Sequence, residues 1–214
     1  MLIHHIESGP VETIGYLVAD EASREVLIID VPMQSRERMK RWISDHAFTA
    51  VGIILTHGHF DHVGDVAALA RDLSVPVHIH PLDAPMLEQP ASLFPDLARL
   101  VEGMRADALL EAGEVLECGR LRLRIIHAPG HTPGHVVLYE MREGVLFSGD
   151  VLFHSSVGRT DLPGGDYETL MQSITKKLFT LPEDTVVYPG HGESTTIGFE
   201  RAHNPYVLEY LDHY

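Results

Sequence analysis

The stretch Thr56-His57-Gly58-His59-Phe60-Asp61-His62, "THGHFDH", places three histidines and an aspartate within six positions, directly behind the apolar run "VGIIL". Four side chains able to bind metal, this close together, are hard to assign to a core. His57 and His59 are two apart. In an extended segment residues i and i+2 point the same way, so both rings can reach one ion. Gly58 between them lets the loop bend without a Cβ clash. Asp61 and His62 are adjacent, near an expected helix start, and need not point with the first pair; they could serve a second ion. Imidazole nitrogen and carboxylate oxygen suit Zn²⁺, Mn²⁺ or Fe²⁺.

One ion needs more than two histidines, and the rest of the chain offers further ligands. "APGHTPGH" presents His131 and His135, "FSGD" presents Asp150, and "YPGHG" presents His191. Each lies where an expected strand ends and a loop begins, the place where α/β folds build their sites. A single histidine is more often structural or solvated than a ligand. The recurrence at strand ends is what strains that explanation here. His4, His5, His46, His203 and His213 have no such context. His78 and His80 alternate on an expected strand and could face solvent, and His127 and His154 are assigned no role.

The regular elements follow from periodicity. "LIHHI", "TIGYLVA", "EVLIID", "VGIILT" and "VPVHIHP" read as strands of the first half, with "LRLRIIHAP", "VVLYEM", "GVLFSGD" and "TVVYPGHG" in the second. "SRERMKRWISDH" is amphipathic, with Met39, Trp42 and Ile43 on one helical face. "DVAALARDL" reads as a second helix. Residues 83–112 read as mixed helix and loop, broken by Pro85, Pro90 and Pro95. "GDYETLMQSITKKLFTLP" reads as a helix capped by Asp166, and a last helix is expected from Thr196 to before Pro205. Strands cluster in each half with helices after them, so two sheets with helices outside would bury this pattern. No linker or repeat divides residues 1–214, and one domain is expected.

Composition narrows the function. With 16 Lys and Arg against 31 Asp and Glu, the formal charge is −15. A chain this acidic repels phosphate backbones and anionic membranes, so neither nucleic acid nor membrane is an expected partner. The single cysteine, Cys118, cannot form an internal disulfide, which fits a reducing cytoplasm. The opening "MLIHHIESGP" has no basic n-region or apolar h-region, so no signal peptide is expected. No apolar run approaches the ~20 residues of a membrane-spanning helix.

The segments "THGHFDH", "PGHTPGH", "SGD" and "YPGHG", in this order and spacing, resemble the metallo-β-lactamase fold superfamily over nearly the whole chain. The resemblance implies an α/β (α+β) fold, an αββα four-layer sandwich with the site at one edge between the two halves. It implies two divalent metal ions, Zn²⁺ foremost, with Fe or Mn also possible. His57, His59 and His131 would hold one, Asp61, His62 and His191 the other, and Asp150 would bridge them. His135 matches a position that supports ligands without being one. Within the superfamily the chain resembles the glyoxalase II branch, which hydrolyses glutathione thioesters. It is most similar to small bacterial members that end after "GHGESTTIGFERAHNPY", so the extra C-terminal helical domain of full-length glyoxalase II is not expected. In "SVGRTDLPGG", Arg159 stands where that family usually has a cation and is expected to contact substrate. Asp161 and Glu193 stand where it usually has tyrosines.

The implied reaction is hydrolysis of a small-molecule thioester by a hydroxide shared between two ions. Ions about 3.5–4 Å apart lower the pKa of a shared water towards ~7 and stabilise the developing oxyanion. The leaving thiol has a pKa of only about 8.5, so no dedicated general acid is needed. Asp61 and Asp150 are the expected catalytic carboxylates: Asp61 orients the hydroxide as well as binding metal, and Asp150 supplies the bridge. Persulfide dioxygenases share the fold and a "GRTD" segment like residues 158–161, but use one iron. A hydrolase of lactones or β-lactams, or a non-catalytic metal-binding module, could carry the same ligand pattern; Asp150 argues against a β-lactamase.

Overall fold

A computed structural model describes residues 1–90 and 100–213. Among these, two six-stranded sheets lie face to face with helices on both outer surfaces. The first sheet runs in spatial order from β1 (Leu2–Ser8) through β2 (Thr13–Asp20), β3 (Glu25–Ile29), β4 (Thr49–Ile54) and β5 (Val77–Ile79) to β6 (Ala108–Leu109). Its first three strands form an antiparallel meander, and β3 to β6 pair in parallel. The parallel steps are made possible by crossover helices α1 (Arg36–Asp45) and α2 (Val66–Leu73), as parallel neighbours require.

The second sheet contains β7 (Val115–Cys118), β8 (Leu121–His127), β9 (Val136–Glu140), β10 (Val145–Gly149), β13 (Val186–Pro189) and β14 (Thr195–Thr196), with β13 parallel to β10. A small hairpin, β11 (Leu152–Phe153) with β12 (Ser156–Val157), stands beside it. Outside this sheet pack α4 (Tyr167–Lys176), α5 (Ile197–His203) and α6 (Pro205–His213). A short helix, α3 (Ala84–Glu88), belongs to the first half.

Strand alternation builds three cores. In β2, Leu17 and Ala19 face α1 and α2, while Tyr16 and Val18 face the other sheet. In β9, Val136 and Leu138 face the first sheet, while Val137 and Tyr139 pack under α4, α5 and α6. Strands buried on both faces read as continuous apolar runs, which is why "TIGYLVA" and "VVLYE" carry so few charges. The result is the expected αββα sandwich.

Some local expectations need correction. The stretch 165–182 breaks into α4 and a 3₁₀ turn, Leu178–Thr180. Asp166 does cap α4, accepting the N–H of Thr169 at 2.8 Å. Thr196 caps α5 in the same way, but the chain continues past Pro205 into α6. Proline fits a first helical turn, where its missing N–H costs nothing, so it starts a helix as well as ending one. His80 is buried and stacks on His127 at 4.3 Å, with 7° between the rings. β6 and β7 have no counterpart among the strands expected from periodicity, and Pro95 lies outside the described residues. Among the described residues no helix is long and apolar enough to cross a membrane.

Candidate metal centre

All seven expected ligand residues meet at one edge of the sandwich. The loop Thr56–His62 leaves β4, the loop around His131 joins β8 to β9, Asp150 follows β10, and His191 follows β13. The two sheets therefore deliver their ligands from strand ends that face each other across the central core. His57, His59 and His131 group on one side, and Asp61, His62 and His191 on the other.

In the first group, His57 Nε2 lies 3.1 Å and His131 Nε2 lies 2.9 Å from His59 Nδ1. A tetrahedral ion with ligands at ~2.0–2.1 Å separates its ligand atoms by about 3.3 Å, so the spacing fits. Two of the three far nitrogens are engaged: His57 Nδ1 meets the Thr56 hydroxyl at 3.0 Å, and His131 Nδ1 donates to the Arg159 carbonyl at 2.7 Å, while His59 Nε2 is buried with no hydrogen-bond partner among the described residues. These bonds place the proton on Nδ1 and aim the Nε2 lone pairs inward.

In the second group, Asp61 Oδ2 lies 3.4 Å from His191 Nε2 and 3.5 Å from His62 Nε2. His62 Nδ1 donates to Asp30 at 2.8 Å, His191 Nδ1 to the Val11 carbonyl at 3.1 Å, and the Thr13 hydroxyl to Asp61 at 2.7 Å. Asp150 lies between the groups. Its Oδ1 is 3.3 Å from His62 Nε2, and its Oδ2 is 3.5 Å from His131 Nε2 and 3.6 Å from His191 Nε2. His62 Nε2 and Asp150 Oδ1 are buried with no hydrogen-bond partner among the described residues. Unpaired buried polar atoms are costly, and a cation between them would satisfy both. The cluster is compatible with a divalent metal site.

Electrostatics agree with ligand duty for His57, His59, Asp61 and Asp150, whereas at His62 burial is outweighed by the carboxylates of Asp150, Asp61 and Asp30, which raise its pKa, and Asp61 and Asp150 do the same for His191. Burial, then the neighbouring imidazoles of His62 and His135, hold His57 well below its usual pKa. Burial, followed by His131, takes His59 down to about 3. Both rings are neutral near pH 7 with lone pairs available. Burial opposes the charge of Asp61, but His62 and His191 outweigh it and bring the carboxyl to about 2. Burial likewise opposes ionisation of Asp150, and His62, His131 and His191 reverse the sign.

His135 is buried and stacks on His57 at 4.7 Å. Its Nε2 accepts the Asp150 N–H at 3.0 Å, so it holds the backbone of the central carboxylate. Gly190 is required for space: a Cβ there would run into Asp150 and come within 2.7 Å of His62 Cε1.

Two supporting carboxylates escape a reading of the sequence alone. Asp30 accepts the N–H and hydroxyl of Thr56 at 2.8 and 2.7 Å as well as His62. Its only sequence signal is an acid closing the apolar run "EVLIID". Asp83 accepts the Gly58 N–H at 3.1 Å, and the Thr132 hydroxyl and Gly134 N–H at 2.6 Å each. It ties the first histidine loop to the second, and nothing local in the sequence marks it.

A cavity of about 170 Å³ opens onto the centre, lined by His59, Asp61, His131, Asp150 and His191 with Val11, Phe60, Arg159 and Leu162. Arg159 is among the residues at this mouth. Its guanidinium is also held by Asp161 through two bonds of 2.8 Å.

Comparison with known proteins agrees with the geometry. The metallo-beta-lactamase superfamily profile matches residues 15–191. The chain is 38% identical over 191 residues to the hydroxyacylglutathione hydrolase GloC of Haemophilus influenzae, covering 86% of this chain and 88% of that protein. Among solved structures, BLEG-1, described as a B3 metallo-beta-lactamase, is 41% identical with a TM-score of 0.89, covering 96% of this chain and 99% of that one. TTHA1623, solved in a di-iron-bound form, is 37% identical with a TM-score of 0.83 over 95% and 99%. A strand-end His/Asp cluster on an αββα frame, matched by relatives along nearly its full length, carries one conclusion: this chain is a metallo-hydrolase and belongs to the metallo-beta-lactamase superfamily.

Proposed function

We propose that this chain is a glyoxalase II-like thioester hydrolase that works with two divalent metal ions on a small-molecule substrate. The observation that carries the reading is the position of Asp150, within 3.6 Å of ligand atoms from both histidine groups. The likeness to GloC supports the thioester. The formal charge of −15 disfavours nucleic-acid substrates.

His57, His59 and His131 would hold one ion, and Asp61, His62 and His191 the other, with the Asp150 side chain lying between the two groups. Zinc is the foremost metal, followed by iron or manganese; the iron in TTHA1623 keeps iron in contention. Bound divalent ions supply Lewis acidity, which lowers the pKa of water towards ~7 and polarises a carbonyl. Asp61, kept ionised and held by Thr13, accepts a hydrogen bond from the attacking water and orients it towards the substrate. Val11, Phe60 and Leu162 line the mouth with apolar surface. A thiolate leaves without a proton donor, and no side chain is assigned that task.

The likeness to BLEG-1 favours β-lactam hydrolysis as a second reading. Zinc- or manganese-loaded protein is tested anaerobically on a panel of thioesters and on β-lactams. Iron-loaded protein is then followed for oxygen uptake with glutathione persulfide. The expected result is thioester cleavage without oxygen. β-Lactam turnover alone would establish the second reading, and oxygen uptake without anaerobic thioester cleavage would make the protein a dioxygenase.

A further inference from the structure

The turn between β1 and β2 belongs to the first sheet, yet it reaches two ligands of one histidine group. Thr13 opens β2 and is fully buried, and its hydroxyl donates to Asp61 Oδ2 at 2.7 Å, 48 positions away. That same oxygen lies 3.4 Å from His191 Nε2 and 3.5 Å from His62 Nε2. The Val11 carbonyl accepts the Nδ1–H of His191 at 3.1 Å, 180 positions away. The Ile14 N–H donates to the Gly190 carbonyl at 2.8 Å, and the Tyr16 hydroxyl to the Pro189 carbonyl at 2.6 Å. Residues 11–16 therefore hold both the loop that carries His191 and the carboxylate of Asp61.

The other group has separate supports. His57 meets the Thr56 hydroxyl, His131 donates to the Arg159 carbonyl, and Asp83 ties the two histidine loops together. None of these partners lies in residues 11–16. In the second group, His62 alone is oriented from elsewhere, by Asp30. The turn is fixed at both ends. Thr13 sits opposite Ser8 in the β1–β2 ladder, and Glu12 bends the chain at a φ of +57°, a conformation uncommon outside glycine. A buried hydroxyl needs a partner, but any backbone carbonyl would meet that need. Thr13 gives its proton to a carboxylate instead. An ionised carboxylate has about four acceptor positions, so a donor held on one of them sets its rotation and leaves the others for an ion.

We infer that Thr13 is a positioning residue for the Asp61, His62 and His191 group, and that the β1–β2 turn sets the occupancy of that group without acting on the other. The inference rests on the two-ion reading. Without the Thr13 hydroxyl, Asp61 rotates away from His62 and His191. His57, His59 and His131 keep every partner they have. The signature is selective: one ion is lost and the other stays.

The test reads metal binding, so it does not depend on turnover. Thr13→Val removes the donor and keeps the shape of the side chain. Zinc-loaded protein is dialysed against zinc buffered at graded free concentrations, and bound zinc per chain is counted by elemental analysis. Manganese-loaded protein is followed by electron paramagnetic resonance. Wild type is expected to retain two ions and to show a spin-coupled manganese pair. In Thr13→Val the free zinc needed to fill one of the two sites rises by about 10–100-fold, the range for losing a partner that orients a ligand. The other site is unchanged, and isolated Mn²⁺ replaces the coupled pair. Thr13→Ser keeps the hydroxyl and restores the second site. Two ions held by Thr13→Val as tightly as by wild type, equal weakening of both sites, or no rescue by Thr13→Ser overturns the inference. Failure of the two-ion reading would show separately, in wild type that fills one site only, and would take this inference with it.

Discussion

Asp30 Oδ2 accepts both the Nδ1–H of His62, at 2.8 Å, and the hydroxyl of Thr56, at 2.7 Å. Thr56 in turn meets His57 Nδ1 at 3.0 Å. One buried carboxylate therefore orients a ligand from each histidine group. Losing such a partner costs ~10–100-fold in metal affinity or activity. Asp30→Asn is expected to lower metal affinity and turnover by that range while leaving the fold intact. Metal titration followed by a circular-dichroism melt checks it, and unchanged affinity would show that His62 needs no such support.

Asp150→Ala should do more damage than Asp30→Asn, because among the described residues it removes the only carboxylate within 3.6 Å of ligand atoms of both histidine groups. Elemental analysis is expected to find the metal content falling from about two ions per chain, with activity nearly abolished. Full activity in this variant would sink the two-ion reading.

Asp83→Ala leaves the N–H groups of Gly58 and Gly134 without their acceptor inside a buried site. An orphaned buried donor costs ~1–3 kcal/mol, so about 3 kcal/mol is expected for the pair with partial relaxation. For a chain of this size that is about 6–12 °C in Tm. A melt of the metal-loaded protein within 2 °C of wild type would mean that the two loops are held elsewhere.

His80 supplies a pH dependence. Burial, and secondarily the stacked His127, bring it down to about 4. Between about 4 and its ordinary 6.5 the unfolded chain binds a proton that the folded chain refuses. Stability therefore falls as pH drops through that window and is unaffected by His80 above it. His80→Phe keeps a flat ring against His127 and removes the titration. The loss of Tm between pH 7 and pH 4.5 is expected to be smaller in His80→Phe than in wild type, and an equal loss would clear His80 of the effect.

The candidate ligand positions were legible because their chemistry is local: His57, His59, Asp61 and His62 are neighbours in the chain, and His131, Asp150 and His191 each follow an apolar run. Strand periods in "TIGYLVA" and "LRLRIIH" were legible for the same reason, since burial alternates along an extended chain. The cap of α4 could be read from Asp166 alone. Other features depend on what lies opposite in space. His80 looks solvent-facing by alternation, yet the second sheet brings His127 against it across 47 positions of sequence. β6 is a two-residue strand made by pairing with β5, and no period of two residues can announce it. Asp30 and Asp83 were unreadable because their partners lie 25 to 51 residues away. Residue type and spacing determine which side chains can bind a metal. Only the docking of two sheets determines which of their lone pairs converge, because hydrogen bonds from distant segments set the direction of each ring.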